Sequence, residues 1–468
     1  MAENRTTMPP QFTQADEVFA FFQEFTNFEQ KQKQTIREYR LDRMRHILSL
    51  FGDPHLSIKI IHVAGSKGKG STSLYAAKAL EALGEKTGLY SSPHVTDYRE
   101  RITHAGNFVP DRLIVEGGNR ILEKMKSLRG LGMDGSEDPT TFELLTLLAF
   151  MIFEKSECTY GVIETGIGGR LDATNVVEPE ATVITPIELE HTDILGVTLR
   201  EIAGEKAGII KPKVPLFVSS QHEEAMQVIL NTAGEKKAPV YTYSEQILSS
   251  SFSLTASGTG VTAELRDPGG ERIKIDFTIP MLGRFQGENA LLALSLIQNL
   301  FRPERNRLQR VLEAIAGARL PGRLELIEGE PPVILDGAHT PNSVTLVLEA
   351  YNQVFDSPPV CIFGSVTGKN AKHMASILYP QCAYIVVSRP GSFKPSEPEN
   401  IYRIFSEYSS SEYTSKVQLL TDPKEAFDRA LSLSEGKRPI LVIGSFYMTA
   451  EIRPLCLKKA DSLRKEYP

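Results

Sequence analysis

The fifteen residues from Ile58 to Thr72, IKIIHVAGSKGKGST, constrain the fold more than any other stretch of the chain. The apolar run 58–64 predicts a buried strand, the cluster from Gly65 to Gly70 a tight turn, and 71–83 a helix stopped by Gly84. In such a turn, backbone N–H groups converge where the helix N-terminus is already positive, and Lys69 adds a mobile charge for terminal phosphates. The spacing departs from G-x-x-x-x-G-K-[ST], because Val63 stands at the first glycine position and the hydroxyl of Ser71 comes one place late, after Gly70. A turn that needs glycine only for its backbone angles would look similar. Two lysines inside the turn, Lys67 and Lys69, weigh toward a polyphosphate site.

At 468 residues the chain exceeds the size at which single cores stop growing, so two or three domains are expected. A net charge of −6, with both signs mixed along the chain, gives no electrostatic footprint for nucleic acid or an acidic membrane, and points to small-molecule partners. The four cysteines are far apart and suggest neither a zinc site nor a disulfide framework. The N-terminal stretch lacks the apolar core of a signal peptide, and the longest apolar run, 144–153, is too short to span a bilayer, so a soluble cytoplasmic protein is expected.

Residues 11–50 carry helical patterning and a cationic cluster, Arg37, Arg40, Arg43 and Arg45, which reads first as a solvated helix face and second as an anion contact. A second strand over 86–92 brings Ser92 and His94 to the carboxyl edge where ligands of α/β sheets sit. The stretch 140–154 predicts a helix buried nearly all round. A third strand ends on Glu164, where a carboxylate beside a phosphate loop would hold Mg²⁺ directly or through water. Another strand leads into Glu190, His191 and Asp193. On the following helix, Lys206 reads as a surface lysine. Alternating short strands between about 245 and 282 predict an antiparallel insert, and Pro321-Gly322 after a helix marks a domain boundary. Beyond it, strands alternate with helices in a second α/β domain with a mainly parallel sheet. Its strand ends, 336–341 and 444–447, face the first domain across a cleft.

In its order of motifs the chain resembles the folylpolyglutamate and dihydrofolate synthases of the Mur ligase superfamily. The resemblance covers about 41–453 and is carried by HVAGSKGKGS from His62, SSPH from Ser91, ERI from Glu100, TFE from Thr141, and ETGIGGRLDATN from Glu164. It continues in His191 with Leu195-Gly196, EKAGI from Glu205, LPGR from Leu320, DGAH from Asp336 and GSFY from Gly444. The resemblance implies a P-loop-type ATPase domain over 1–318, with a mainly parallel sheet and the small antiparallel insert. A Rossmann-like glutamate-ligase domain would follow over 319–468.

The implied reaction is ATP-driven amide ligation, in which a carboxylate is phosphorylated and the amine of L-glutamate attacks the acyl phosphate. By the same resemblance, Gly68, Lys69, Gly70, Ser71, Asn289, Arg323 and Asp336 bind ATP, and Ser92, Glu164 and His191 hold Mg²⁺. Lys206, carbamylated by CO₂, helps organise that metal site, and Lys69, Lys206 and His339 are the catalytic set. Thr140, Thr141, Phe142, Glu143, Leu171, Asp172 and Ala173, with Arg40 to Asp42, would meet the pteridine-bearing substrate. The expected partners are a folate or pteroate, L-glutamate and ATP, acting on a monomer.

Departures fall at Ser66-Lys67 for the usual Thr-Asn, Glu190 for aspartate, Phe285 for histidine, Thr340 for asparagine, and Lys372-His373 for Lys-Asp. The leading expectation is glutamate addition to tetrahydrofolate, with dihydrofolate synthesis from dihydropteroate as a possible second activity. A Mur-type ligase for a different carboxylate, and a non-catalytic, nucleotide-gated binding protein, are the competing readings.

Overall fold

The computed structural model describes residues 11–27, 41–128, 138–408 and 416–466. The first sheet is built from β1 (Lys59–Ala64), β2 (Thr87–Tyr90), β3 (Ile102–His104), β4 (Asn107–Phe108), β5 (Tyr160–Glu164), β6 (Ala181–Ile184), β7 (Leu216–Val218) and β8 (Val240–Thr242). Its order is β4-β3-β2-β5-β1-β6-β7-β8, parallel throughout except where β3 pairs antiparallel with β2 and β4. Strand β1 is buried along all but its first residue, as expected of a central parallel strand covered on both faces. Its register pairs Val63 with both Glu164 and Val183, so β1, β5 and β6 end side by side.

One face of this sheet is covered by the helices Ala15–Gln23, Asp111–Leu128 and Thr141–Lys155, the other by Lys69–Ala82 and Arg284–Phe301. A separate antiparallel sheet, β9 (Ile247–Thr255), β10 (Gly258–Arg266) and β11 (Arg272–Ile279), packs on the last of these helices, as the alternating pattern predicts. The second α/β unit carries β12 (Glu325–Ile327), β13 (Val333–Leu335), β14 (Val360–Phe363), β15 (Tyr384–Val387), β16 (Val417–Leu419) and β17 (Ile440–Ile443), ordered β12-β13-β17-β14-β15-β16. All pairs are parallel except β12 with β13. Among the described residues no helix is long and apolar enough to cross a membrane.

Two expectations need correction. Of the arginine cluster, Arg37 and Arg40 lie outside the described residues and Arg45 is exposed, but Arg43 is buried. Its Nε lies 2.9 and 3.0 Å from the two oxygens of Glu143, so the carboxylate of a distant helix pairs with it. Glu143 also accepts the Thr140 N–H at 2.7 Å in a capping box that starts the helix Thr141–Lys155. Lys206, read as a surface lysine from its helix alone, is 1 % exposed.

Removing one partner of a buried pair leaves an uncompensated charge, which costs about 3–5 kcal/mol, whereas losing an N-cap hydroxyl costs about 1 kcal/mol. Urea unfolding of Glu143→Ala is therefore expected to show several times the destabilisation of Thr140→Ala.

Candidate active site

The carboxyl ends of the two parallel sheets face one cleft of about 1020 Å³. At the end of β1 the chain turns through Gly65 and Gly68, with φ of 148° and 81°, into the helix Lys69–Ala82. The N-cap Gly68 offers no side-chain cap, which leaves first-turn amides for an anion. The loop is stitched to the segment after β6: the Ser66 and Lys67 N–H groups donate to Pro186 O at 2.8 and 3.1 Å. Ser66 Oγ also accepts from Glu188 N and donates to Glu188 O.

Glu164, 2 % exposed at the end of β5, accepts the Ser92 N–H through Oε2 at 3.2 Å. Burial raises its pKa, while Lys69, the Ser92 N–H, Arg323 and Arg101 oppose the rise. Lys206 Nζ donates to Gly65 O at 2.7 Å and to Glu190 Oε1 at 2.9 Å. Burial brings its pKa down to about 8 against the pull of Glu190. Burial alone would raise the Glu190 carboxyl, but Lys206 and Lys69 hold it below the usual range. His191, in a left-handed backbone conformation, lines the cleft beside them.

On the opposite wall, Asp336 follows β13 and its oxygens accept the Leu324 and Ala338 N–H groups at 2.8 and 2.7 Å. The Arg323 guanidinium sits 4.0 Å from the Phe446 ring centroid, near both Asp336 and Glu164. His339 Nδ1 lies 2.8 Å from Gly337 O, which makes Nδ1 the protonated nitrogen and leaves Nε2 as an acceptor. The walls touch where Asn342 Nδ2 donates to Glu188 Oε1 at 2.8 Å.

Residues 63–297 match the Mur ligase middle domain and residues 322–446 the glutamate ligase domain of Mur ligases. The chain is 31 % identical over 418 residues to the dihydrofolate synthase/folylpolyglutamate synthase of Bacillus subtilis, covering 88 % of this chain and 94 % of that one. It belongs to this family of Mur ligases. A probable bifunctional folylpolyglutamate synthase/dihydropteroate synthase of Haloferax volcanii is 32 % identical over 420 residues and 88 % of this chain, which spans only 48 % of that longer relative. Among solved structures, Mycobacterium tuberculosis folylpolyglutamate synthase complexed with ADP aligns with a TM-score of 0.83 at 28 % identity, over 94 % of this chain and 98 % of that one.

The Mur ligase cleft collects Gly68, Lys69, Gly70, Ser71, Ser92, Glu164, His191, Asn289, Arg323, Asp336 and His339 along its lining. Lys206 reaches it from behind, through Glu190. Among the described residues no three His, Cys, Asp or Glu side chains form a ready metal cluster. Of the expected substrate contacts, Thr141, Phe142 and Asp172 line the cleft. Thr140 and Glu143 are engaged in the capping box, Leu171 and Ala173 lie outside the lining, and Arg40 lies outside the described residues. Asp172 is itself saturated, accepting from Gly166 N, Ile167 N, Thr174 N and Thr174 Oγ1.

Ser92 faces the cleft as expected, but His94 is outside the lining, where it accepts Arg101 Nε at 2.8 Å and packs tilted against Tyr98. Lys372 and His373 are exposed on the helix Ala371–Gln381; the lysine that this segment turns into the cleft is Lys369. Sequence reasoning passed over Lys369 and Gln286, although Gly368-Lys369 after a strand was a usable signal. Gln286 Oε1 is buried without a hydrogen-bond partner among the described residues, beside Phe285 and Tyr243.

A Cβ at Gly68 would meet Asn289 Oδ1 at 2.4 Å, on a backbone that already has positive φ. Gly68→Ala is expected to destabilise by about 1–3 kcal/mol and to weaken ATP binding about tenfold or more, read by urea unfolding and nucleotide titration.

Proposed function

We propose that this ligase joins L-glutamate to the carboxylate of tetrahydrofolate at the expense of ATP. The observation that carries the reading is the meeting, in one cleft, of the phosphate loop of the first sheet and the Asp336–His339 strand end of the second. The cleft extends between Tyr98, Phe142 and Leu145, an apolar and aromatic surface suited to a flat pterin ring. In the first step a carboxylate oxygen forms a bond to the γ-phosphorus as the bond to ADP breaks. In the second, the amine of glutamate forms the amide bond, and phosphate departs.

Each charge on the path has a matching group. The loop amides and Lys69 take the phosphates, Arg323 reaches toward them from the other wall, and Asn289 borders the nucleotide end. His339 is kept neutral by burial, which pushes its pKa down and weakens it as a base, and its unprotonated Nε2 is the nitrogen available to the proton the attacking amine loses.

The residues fit Mg²⁺: Glu164 is a buried carboxylate with one oxygen lacking a hydrogen bond among the described residues, and Ser92 and His191 line the same cleft. When bound, the ion would screen the charge that repels an incoming carboxylate from the polyphosphate. Lys206 fits carbamylation, because burial leaves a substantial share of its amine neutral near pH 8. The neutral amine adds to CO₂, forming an N–C bond and releasing a proton. The Glu190 ion pair opposes this by favouring the ammonium. The ¹³C carbamate signal from labelled bicarbonate is expected to grow as pH rises toward 8 at fixed dissolved CO₂, to be larger in Glu190→Gln, and to vanish in Lys206→Arg.

Glutamate-dependent ADP release with Mg²⁺ and ATP tests the function. Release with tetrahydrofolate is the expected result. Additional release with dihydropteroate would make the enzyme bifunctional, in keeping with the Bacillus relative's two names. Release with neither acceptor, from folded protein that binds ATP, would overturn the folate reading.

A further inference from the structure

Lys67 precedes Lys69 by two residues on the phosphate loop, and its backbone is fixed by the hydrogen bond to Pro186 O. Its side chain lines the cleft, where the ammonium has no hydrogen bond or ion pair among the described residues. The two loop lysines serve different ends of the site. Lys69 acts on Glu164, Glu190 and His191, the first wall. Lys67 also acts on Asp336 and His339, the second. Lys369 enters the same space from the loop after β14 and its ammonium, like that of Lys67, has no hydrogen bond or ion pair among the described residues. The two ammonium groups repel each other across the cleft, a penalty that an anion between them removes.

We propose that Lys67, with Lys369 on the opposite wall, binds the terminal phosphoryl group of ATP while that group passes to the acceptor carboxylate. The proposal rests on the ATP-ligase reading above. The phosphoryl group leaves ADP with the bonding electron pair staying on the ADP oxygen, and is received by a carboxylate oxygen. Lys67 keeps its proton throughout and follows the charge from the loop toward the second wall. A single lysine at the position of Lys69 would hold the terminal phosphate in the ground state; a second, nearer His339, favours the transferred position, which is where transition-state stabilisation raises the rate.

Calorimetric titration with ADP and with the non-hydrolysable β,γ-methylene analogue of ATP tests this, because only the second carries the terminal phosphoryl group. Lys67→Met is expected to weaken the analogue about tenfold, equivalent to about 1.4 kcal/mol, while ADP binding stays within about twofold. Lys67→Arg should restore most of the loss, and Lys369→Met should repeat the selective pattern if Lys67→Met does not fold. In turnover, kcat falls in Lys67→Met and the KM for glutamate is unchanged. Equal effects on both nucleotides would overturn the proposal. So would a rise confined to the KM for glutamate, which would assign Lys67 to the carboxylate of the incoming amino acid. Wild-type protein that binds neither nucleotide would sink the ATP-ligase reading itself, a result separate from any effect of Lys67.

Discussion

The backbone of the phosphate loop runs closer to its neighbours than any side chain would permit. A Cβ at Gly65 would fall 1.9 Å from Thr185 Oγ1, at the end of β6, and one at Gly68 would fall 2.4 Å from Asn289 Oδ1, on the helix Arg284–Phe301. These two approaches lock the end of β1 against a strand on one side and a helix on the other. The Gly65 carbonyl, turned outward by the same bend, becomes the acceptor for Lys206. The loop, the helix bearing Asn289 and the helix bearing Lys206 are thus positioned by one stretch of backbone, and the site depends on glycine there for space more than for flexibility.

The carboxylates of the cleft divide by how their oxygens are satisfied. Asp172 accepts four hydrogen bonds and Asp336 accepts backbone N–H groups on both oxygens, so each holds the shape of its loop. Glu164 receives one N–H and retains an open oxygen in a buried setting, and Glu190 is held ionised by lysines. A buried acceptor with no partner is costly unless a ligand completes it. In this cleft Gln286 Oε1 is such a buried acceptor among the described residues, whereas the second Glu164 oxygen opens on the cleft, where a ligand can reach it.

The strand ends were legible because each is an apolar run closing on a polar residue, as in β5 and β13, or on a glycine, as in β1 and β17, and parallel α/β topology gathers such ends at one edge. The short strands β3, β4, β12 and β16 carry too few residues for a period to show. The Arg43–Glu143 pair joins residues one hundred positions apart, and no local pattern connects them. Lys206 looked solvent-facing because helical spacing reports which residues share a face and not what crosses that face; here a loop carbonyl does. Lys67 and Lys369 belong to different sheets, and their convergence exists only once both strand ends face the same space.

That convergence bears on how the cleft works. Beside the apolar packing of Leu282 and Phe285 on the second unit's core, two polar links join the walls: the Asn342–Glu188 hydrogen bond, and Arg323, which feels Asp336 on its own wall and Glu164 on the other. Such polar links strengthen as water leaves and weaken as it enters. Opposing them is the repulsion between Lys67 and Lys369. A polyphosphate satisfies Arg323 and removes that repulsion together, so the bound nucleotide supplies the charge that the facing walls lack. Product release reverses it, because ADP lacks the terminal group that stands between the two lysines.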